Sequence, residues 1–198
     1  MISIVNYQAS NLRSVKKALD YLGLESEVTM DPQAVRRADK IVLPGVGHFA
    51  ATGRMESAGL RDAIRDSINR GTLFLGICVG LQWIFAASEE APQTQGLGLF
   101  EGTCRRFPLG VKVPHVGWNS LEIAAPSRLL AGLASGAFVY YTHSYRAPVC
   151  EHTVATTEYE GAFTAAVERE NVFGVQFHPE KSAEVGLQIL RNFGALPC

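Results

Sequence analysis

The sequence predicts a three-layer α/β domain with a largely parallel central sheet flanked by helices and a mixed or antiparallel part in its second half. In the first half, short apolar runs alternate with helical patterns, which is typical of right-handed βαβ units. After Gly96, short strand candidates are separated by turns rather than long helices, which favours antiparallel pairing. The chain contains no repeat, low-complexity tract or linker, so residues 1–198 are expected to form a single domain.

The first half contains four strand candidates and two amphipathic helices. Apolar residues recur at helical spacing from Leu12 to Leu22, where Gly23 is expected to end the helix, and from Leu60 to Ile68. The last strand candidate is nearly all apolar, as expected of a strand buried on both faces. The strand candidates are residues 2–7, 25–29, 40–43 and 72–77.

The second half contains six short strand candidates and one final helix. The helix is expected over residues 183–193, with Ser182 as its N-cap and Gly194 as its end. The strand candidates are residues 102–107, 120–123, 137–141, 153–157, 163–168 and 172–177. Sites in such folds lie beyond the carboxyl ends of the strands, where Cys78, residues 44–47 and His178 all fall.

Composition excludes several classes of partner. The formal net charge is −1 with both signs spread along the chain, which gives no support for nucleic-acid or anionic-lipid binding. No stretch is apolar for long enough to cross a bilayer and no basic region precedes the first apolar run, so a cytoplasmic location is expected. The four cysteines (Cys78, Cys104, Cys150 and Cys198) are widely separated, which favours free thiols over disulfides or a metal site.

Cys78 stands in GICVGLQ, between a strand and a helical pattern. Glycines two residues before and after it fit a nucleophile elbow with sulfur in place of oxygen. The following helix start would favour the thiolate, and the N–H of Val79 would face an oxyanion on an attacked carbonyl. A free cysteine is, alternatively, often a small buried hydrophobic residue.

The segment FHPE offers a base for this thiol and a carboxylate to orient the base. Pro179 disfavours helical geometry at His178, and in an extended chain Glu180 would face the same way as His178. A surface turn or half a metal site would also fit these residues. The other histidines show no ligand-type spacing with His178, so Cys78–His178–Glu180 is the leading interpretation.

The turn PGVG ends the third strand at residues 44–47. Glycines on both sides of Val46 allow its peptide units conformations that other residues resist, so an N–H at Val46 or Gly47 could face the site as a second oxyanion donor. A simple strand-ending turn is the alternative.

The chain resembles the class I (triad) glutamine amidotransferases, whose fold is flavodoxin-like, through LPGVG, GICVGLQ, PHVGWN, HSY and GVQFHPEKS in the shared order. PHVGWN, with NLRSV near the start and PEKS near the end, is similar to members that act as glutaminase subunits of imidazole glycerol phosphate synthase. The resemblance spans essentially the whole chain. It implies hydrolysis of L-glutamine by a Cys–His–Glu triad and no cofactor or metal.

The resemblance also implies roles for further residues. Backbone groups at Val46 and Val79 match an oxyanion hole, the former after a peptide rearrangement. The positions that hold glutamine match Gln82, Glu90, Ser144 and Tyr145. Segments that face or border the partner, a (β/α)8 cyclase subunit in a heterodimer, contain Asn11, His115, Trp118, Asn119, Tyr140 and Lys181. Without the family, Trp118 and Tyr140 could equally be core aromatics.

The loop after the first strand departs from the family pattern D-Y-G-x-G-N, because the chain has NYQASN at residues 6–11. If the lost glycines have positive φ in relatives, Gln8 and Ser10 must strain or rebuild the loop. The change bears on coupling to the partner rather than on the triad.

Three other functions remain compatible with the sequence. The same chemistry could serve another acceptor, as in pyridoxal phosphate synthase, or the chain could be a stand-alone thiol hydrolase. A non-catalytic regulatory or binding subunit is the alternative from another class.

Overall fold

The computed structural model describes residues 1–8 and 11–197. Strands and helices alternate up to residue 88, and strands dominate from residue 100 until the final helix, in agreement with the sequence. The helices are α1 (Leu12–Tyr21), α2 (Pro32–Arg37), α3 (Arg54–Ser57), α4 (Leu60–Asn69), α5 (Val79–Ile84) and α6 (Ala183–Ala195). The strands are β1 (Ile2–Val5), β2 (Ser26–Thr29), β3 (Lys40–Gly45), β4 (Leu73–Cys78), β5 (Phe85–Ser88), β6 (Phe100–Arg106), β7 (His115–Ser120), β8 (Glu122–Ile123), β9 (Phe138–His143), β10 (Tyr145–Arg146), β11 (Thr153–Glu158), β12 (Ala162–Arg169) and β13 (Val172–Val175).

One large sheet has the strand order β2-β1-β3-β4-β13-β12-β11-β8. Strands β2, β1, β3, β4 and β13 are parallel, whereas β12, β11 and β8 pair antiparallel. The β1–β2 and β2–β3 connections run in opposite directions along the sheet, so right-handed crossovers place α1 and α2 on opposite faces. The predicted three-layer fold with a mixed second half is therefore confirmed.

The centre of the sheet is fully buried. All six residues of β4 and all four of β13 are buried, as predicted for a strand covered on both faces. Leu75 of β4, Phe173 of β13 and Leu43 of the adjacent strand β3 all have fully buried side chains. In the described residues no helix is long and apolar enough to span a membrane.

The structure differs from the sequence prediction at several short elements. Helix α2, capped by the Asp31 carboxylate, and strands β5 and β10 were not predicted. The candidate strand 120–123 is instead the end of β7 followed by β8. These elements are too short for a period in hydrophobicity to be visible in sequence.

Two predictions about the ends of α6 need correction. Ser182 occupies the N-cap position, but its hydroxyl donates to the His178 carbonyl (2.6 Å) and accepts from the Tyr140 N–H (2.9 Å) instead of capping the helix. Gly194 does not end the helix, which continues to Ala195. A Cβ at Gly194 would lie 2.6 Å from the methyl carbons of Leu24, so close packing accounts for this glycine.

Candidate active site

Cys78 is the last residue of β4 and turns directly into α5. Its backbone has φ 55° and ψ −105°, a conformation that residues with a side chain rarely adopt. A Cβ at Gly76 would lie 2.5 Å from the Gly80 carbonyl oxygen, and one at Gly80 would lie 2.0 Å from the Leu43 carbonyl oxygen. The predicted sharp strand-to-helix turn is therefore present, and both glycines are required by backbone packing.

His178 and Glu180 form the pair expected from FHPE. The His178 ring and the Glu180 carboxylate lie 2.8 Å apart (Nδ1 to Oε1), and their side chains are 1% and 0% exposed. The local geometry differs from the extended chain predicted, because residues Pro179–Lys181 form a 3-10 turn. The backbone N–H of His178 donates to the Tyr140 carbonyl (2.9 Å), which anchors this turn to β9.

The His178 ring is held in its charged form. Burial opposes that charge and lowers the pKa, but the negative charge and hydrogen bonding of Cys78, followed by Glu180, outweigh burial and raise the pKa of His178 to about 10. Nε2 of His178 has no hydrogen-bond partner among the described residues. The sulfur of Cys78 therefore raises the pKa of His178 mainly through its negative charge. The arrangement suits a thiolate–imidazolium pair.

Tyr7 is a further neighbour of the sulfur that the sequence did not single out. Its side chain is 2% exposed, and its hydroxyl occupies the space that a Cβ at Gly45 would fill. Burial, and then the charge of Cys78, raise the pKa of Tyr7. The phenol therefore stays neutral beside Cys78.

A cavity of about 270 Å³ opens beside Cys78. That volume lies below the range of about 300–1,000 Å³ typical of drug-sized ligands, so it fits a small substrate. Its lining contains seven predicted site residues: Gly47, Cys78, Val79, Gln82, Glu90, Ser144 and Tyr145. Pro114, Thr142 and His143 also line it and were not predicted as site residues. Val46 immediately precedes the lining residue Gly47, whose φ is 107°.

Polar side chains around the cavity are held by the protein itself. The Glu90 carboxylate accepts from the Phe49 N–H (2.7 Å), which ties it to the chain just after the PGVG turn. The Gln82 amide donates from Nε2 to the Tyr145 carbonyl (2.8 Å) and to Oε1 of Gln176 (3.1 Å). These contacts fix both side chains before any ligand enters.

Two buried histidines link the cavity to the β7–β9 sheet. Nδ1 of His143 lies 2.9 Å from the Tyr145 carbonyl, which only accepts, so Nδ1 carries the proton and Nε2 accepts from Nδ1 of His115 (3.0 Å). Burial lowers the pKa of His115 to about 4 and, with smaller contributions, that of His143 to about 3. Both rings are therefore neutral, and His115, expected near the partner, is only 4% exposed.

The other residues expected at the partner-facing rim lie near the surface. Trp118 is 52% exposed and its ring lies 6.0 Å from that of Tyr140, over which the Lys181 ammonium sits at 5.8 Å. Asn119 donates to the Glu158 carbonyl (3.0 Å), and its Nδ2 lies 3.4 Å from Nε2 of His115. Neither aromatic side chain belongs to the core.

Asn11 makes the direct link from this rim to the triad, because its amide donates to Oε1 of Glu180. Gln8 and Asn11 have φ of 65° and 79°, and this strained backbone at Gln8 is what we expect if the glycine it replaces has positive φ in relatives. The Gln8 N–H donates to the Asn6 side chain (2.8 Å). Ala9 and Ser10, the rest of the departing loop, lie outside the described residues.

The chemistry available here is that of a thiol. Within the described ranges, no three His, Cys, Asp or Glu side chains cluster as metal ligands would. Cys78, Cys104 and Cys150 are free thiols, and Cys198 lies outside the described residues.

Comparison with solved structures supports the fold assignment. A crystal structure of a glutamine amidotransferase matches with a TM-score of 0.77 and 20% identity, covering 98% of this chain and 99% of that one. The structure of PurLQS from Thermotoga maritima matches with a TM-score of 0.73 and 20% identity, covering 97% and 96%. At such identities the likeness concerns the fold alone.

Sequence comparison is more specific. The family model for glutamine amidotransferase class-I matches residues 3–195. The imidazole glycerol phosphate synthase subunit HisH of Moorella thermoacetica is 48% identical over 198 residues, covering 98% of this chain and 94% of the relative. The proteins of the same name from Methanothermobacter thermautotrophicus and Pyrococcus furiosus are 47% and 46% identical, each covering 98% of this chain and 97% and 98% of the relative. This chain therefore belongs to the class-I glutamine amidotransferases and, among them, to the family of imidazole glycerol phosphate synthase HisH subunits.

Proposed function

We propose that the protein hydrolyses L-glutamine to glutamate and ammonia and delivers the ammonia to a cyclase subunit. The observation that carries the proposal is the meeting of Cys78, at its elbow, with the charged His178–Glu180 pair beside a small polar cavity. Family membership supplies the substrate class, since the matching family is that of glutamine amidotransferases.

Each triad member has a distinct part in the reaction. The Cys78 thiolate attacks the side-chain carboxamide carbon of glutamine, and a C–S bond forms as the carbonyl becomes an oxyanion. His178 gives its proton to the leaving nitrogen, the C–N bond breaks and ammonia departs, which leaves a γ-glutamyl thioester. Water then attacks with His178 as base, and glutamate and the thiolate are released. Glu180 holds the ring and stabilises the imidazolium.

The cavity residues bind the substrate and stabilise the oxyanion. Backbone N–H groups at Val79, next to the nucleophile, and at Val46 or Gly47, after β3, are the proposed oxyanion donors. Gln82, Glu90, Ser144 and Tyr145 hold glutamine. Support for these roles comes from the cavity lining, which includes all of them except Val46.

Ammonia needs a protected route to its acceptor, because free ammonia at neutral pH is mostly ammonium and no longer a nucleophile. We propose a heterodimer with the (β/α)8 cyclase subunit of imidazole glycerol phosphate synthase, which makes imidazole glycerol phosphate and an aminoimidazole carboxamide ribotide for histidine biosynthesis. The relatives' own name, subunit of that synthase, supports this partner. Such a biosynthetic complex would be cytoplasmic, with residues 1–198 acting as one amidotransferase domain.

The proposed partner surface is the outer face of the β7–β9 sheet, formed by Val116, Trp118, Phe138 and Tyr140. Val116, Trp118 and Phe138 are 52%, 52% and 57% exposed, and contiguous exposed apolar surface marks protein interfaces. Lys181, which follows Glu180 in the chain, lies over the Tyr140 ring. Asn11 donates a hydrogen bond to Glu180. A partner on this face would therefore lie close to His178 and Glu180, since the His178 N–H donates to the Tyr140 carbonyl.

The decisive experiment is glutamine hydrolysis by Cys78→Ala, measured as glutamate release with and without the cyclase subunit and its nucleotide ligand. The wild type is expected to be activated by the loaded partner, and Cys78→Ala to lose at least about 10⁴-fold in kcat while still binding it. Cys150→Ala, a thiol outside the site, should match the wild type. Near-normal turnover by Cys78→Ala would remove Cys78 as the nucleophile.

A further inference from the structure

Gln176 lies between β13 and His178, and its side chain is completely buried against the active site. Its Nε2 lies 3.6 Å from the sulfur of Cys78, within hydrogen-bonding range of a sulfur acceptor. The mechanism above uses Cys78, His178 and Glu180 but gives Gln176 no part. A buried amide that contacts the reacting atom needs an explanation.

The contacts fix which end of the Gln176 amide faces the sulfur. The Tyr145 carbonyl can only accept, so the atom of Gln82 that faces it must be the donor Nε2. The same Nε2 lies 3.1 Å from Gln176, so Gln176 must present its oxygen there. The opposite end, the N–H₂ group, is then aimed at the sulfur.

The chain of bonds runs in one direction, from the sulfur to the wall of the cavity. Gln176 donates to Cys78 and accepts from Gln82, and Gln82 also donates to the carbonyl of Tyr145. A reversed Gln176 amide would set two N–H₂ groups against each other in a buried site, which costs an unsatisfied donor. The orientation is therefore built into the fold before substrate binds.

We propose that Gln176 is a catalytic residue that donates its side-chain N–H to the Cys78 sulfur and stabilises the thiolate. This rests on the proposed function, in which Cys78 is the nucleophile. The proton of the thiol goes to His178, and Gln176 transfers none. Its bond is strongest when the sulfur is charged, before attack and again when the thioester is hydrolysed, because hydrogen bonds to charged groups are the stronger ones.

A purely structural role for Gln176 predicts something different. If it served only to hold Gln82, its loss would disturb glutamine binding and leave the sulfur unchanged. The reactivity of the sulfur toward a small neutral reagent separates the two roles, since alkylation does not require glutamine. Tyr7 and His178 are titratable neighbours of the sulfur, and Glu90 and His143 line the same cavity. All four are unchanged in the variants.

The test compares Gln176→Met with the wild type and with Gln188→Met, a matched change on α6 where the glutamine side chain hydrogen-bonds to Asn192 and Arg191. The rate of Cys78 alkylation by iodoacetamide is measured against pH by peptide mapping, and kcat and KM for glutamine are measured in the cyclase complex. We expect the alkylation midpoint of Gln176→Met to rise by about one pH unit or more and its kcat to fall about 10- to 100-fold. Gln188→Met should follow the wild type.

An unchanged alkylation profile with a raised KM would overturn the proposal and leave Gln176 as a support for Gln82. Loss of hydrolysis in Cys78→Ala with no effect of Gln176→Met on the sulfur would overturn it while the proposed function stands. If the wild type hydrolysed no glutamine, the proposed function would fail, and the alkylation profile would still decide what Gln176 does to the sulfur.

A second variant keeps the test decisive if the methionine disturbs folding. Gln176→Glu retains the oxygen that accepts from Gln82, but its carboxyl group donates to the sulfur only when protonated. We expect its activity at pH 8.5 to be at least about 10-fold below that of the wild type, because the ionised carboxylate repels the thiolate. Activity equal to that of the wild type at pH 8.5 would contradict the proposal.

Discussion

Glu180 concentrates its interactions on a single oxygen. Oε1 accepts from Nδ1 of His178 (2.8 Å) and from the Asn11 amide, whereas Oε2 has no hydrogen-bond partner among the described residues. The bond at Nδ1 leaves Nε2 as the ring atom for the proposed proton exchange with Cys78. A buried carboxylate with only one bonded oxygen adds little to the stability of the fold. Its negative charge and its orientation of the His178 ring explain its presence better.

At the residue scale, Glu180→Gln should lower kcat about 10²- to 10⁴-fold, less than Cys78→Ala, because the orienting group helps the reaction but does not attack. The amide keeps the shape of the side chain while the negative charge that raises the pKa of His178 is lost. Steady-state glutaminase assays of the cyclase complex measure the effect. Glu101→Gln, an exposed change on β6, is the control, and losses equal to those of Cys78→Ala would give Glu180 another role.

Residues of the site differ in how far sequence reveals them. Gly76, Cys78 and Gly80 form a local pattern, and His178 and Glu180 are two residues apart, so the two patterns combined indicated these candidates, although neither did so alone. Gln176 donates to the sulfur of Cys78, and His143 donates to the carbonyl of Tyr145. Both bonds join residues through the fold, and their direction follows from which atom can only accept. Their neighbours within the sequence carry no sign of those bonds.

At the scale of elements, β7 and β9 form a two-stranded sheet with two different faces. In the register His115↔His143 and Trp118↔Tyr140, one face packs the neutral histidines inward and the other presents Trp118 outward. His115 stacks on Tyr159 with ring centroids 4.0 Å apart, which anchors the inner face. The same pair of strands therefore joins the proposed partner surface to the cavity wall.

Trp118→Ala should weaken binding of the cyclase subunit about 10- to 100-fold, since exposed aromatics at interfaces are frequent hot spots. The free energy of unfolding should change by less than about 1 kcal/mol, because half of the side chain is already in solvent. Calorimetric titration and urea unfolding measure the two quantities. Tyr21→Ala, a 76% exposed aromatic on α1, should leave both nearly unchanged.

An unaltered dissociation constant for Trp118→Ala would show that the interface lies elsewhere than the outer face of β7–β9.

The short elements show where prediction from the sequence reaches its limit. Strands β1, β3 and β4 were found because each is a buried and mainly apolar run, whereas α2, β5 and β10 have six residues or fewer and were not predicted. Their existence depends on tertiary packing.

At the scale of the whole molecule, strand β13 joins the two halves of the sheet. It runs parallel to β4, which carries Cys78, and antiparallel to β12, and it leads directly to His178. The sequence correctly predicted a parallel first half and a mixed or antiparallel second half of the sheet. It could not show that the single strand β13 pairs with both. Pairing partners of strands so far apart depend on long-range contacts that local patterns do not encode.

Acidification should destabilise the fold through the buried histidine pair. The unfolded chain takes up protons on His115 and His143 near pH 6.5, whereas the folded rings stay neutral until about pH 4 and 3, so their contribution is complete above pH 6.5 and falls below it. We expect a loss of roughly 3 kcal/mol or more between pH 6.5 and 4. Urea unfolding across this range measures it.

His115→Phe is the matched variant for this prediction, because a phenyl ring keeps the stacking on Tyr159 and cannot take up a proton. Its stability should fall less steeply with decreasing pH than that of the wild type, and equal slopes would contradict the assignment.

His178 affects the pH dependence of stability in the opposite direction. Its pKa is raised to about 10, so its contribution to stability is complete below pH 6.5 and is lost as the pH rises through 10.

The place of β13 in the sheet has a consequence for how the protein is made. During synthesis Cys78 leaves the ribosome with all of β4, long before β13 and its histidine exist. Until that late strand slots in beside β4, the sulfur has neither a proton acceptor nor Gln176 at its side. On the proposed mechanism, the nascent polypeptide would therefore not hydrolyse free glutamine until β13 has joined the sheet.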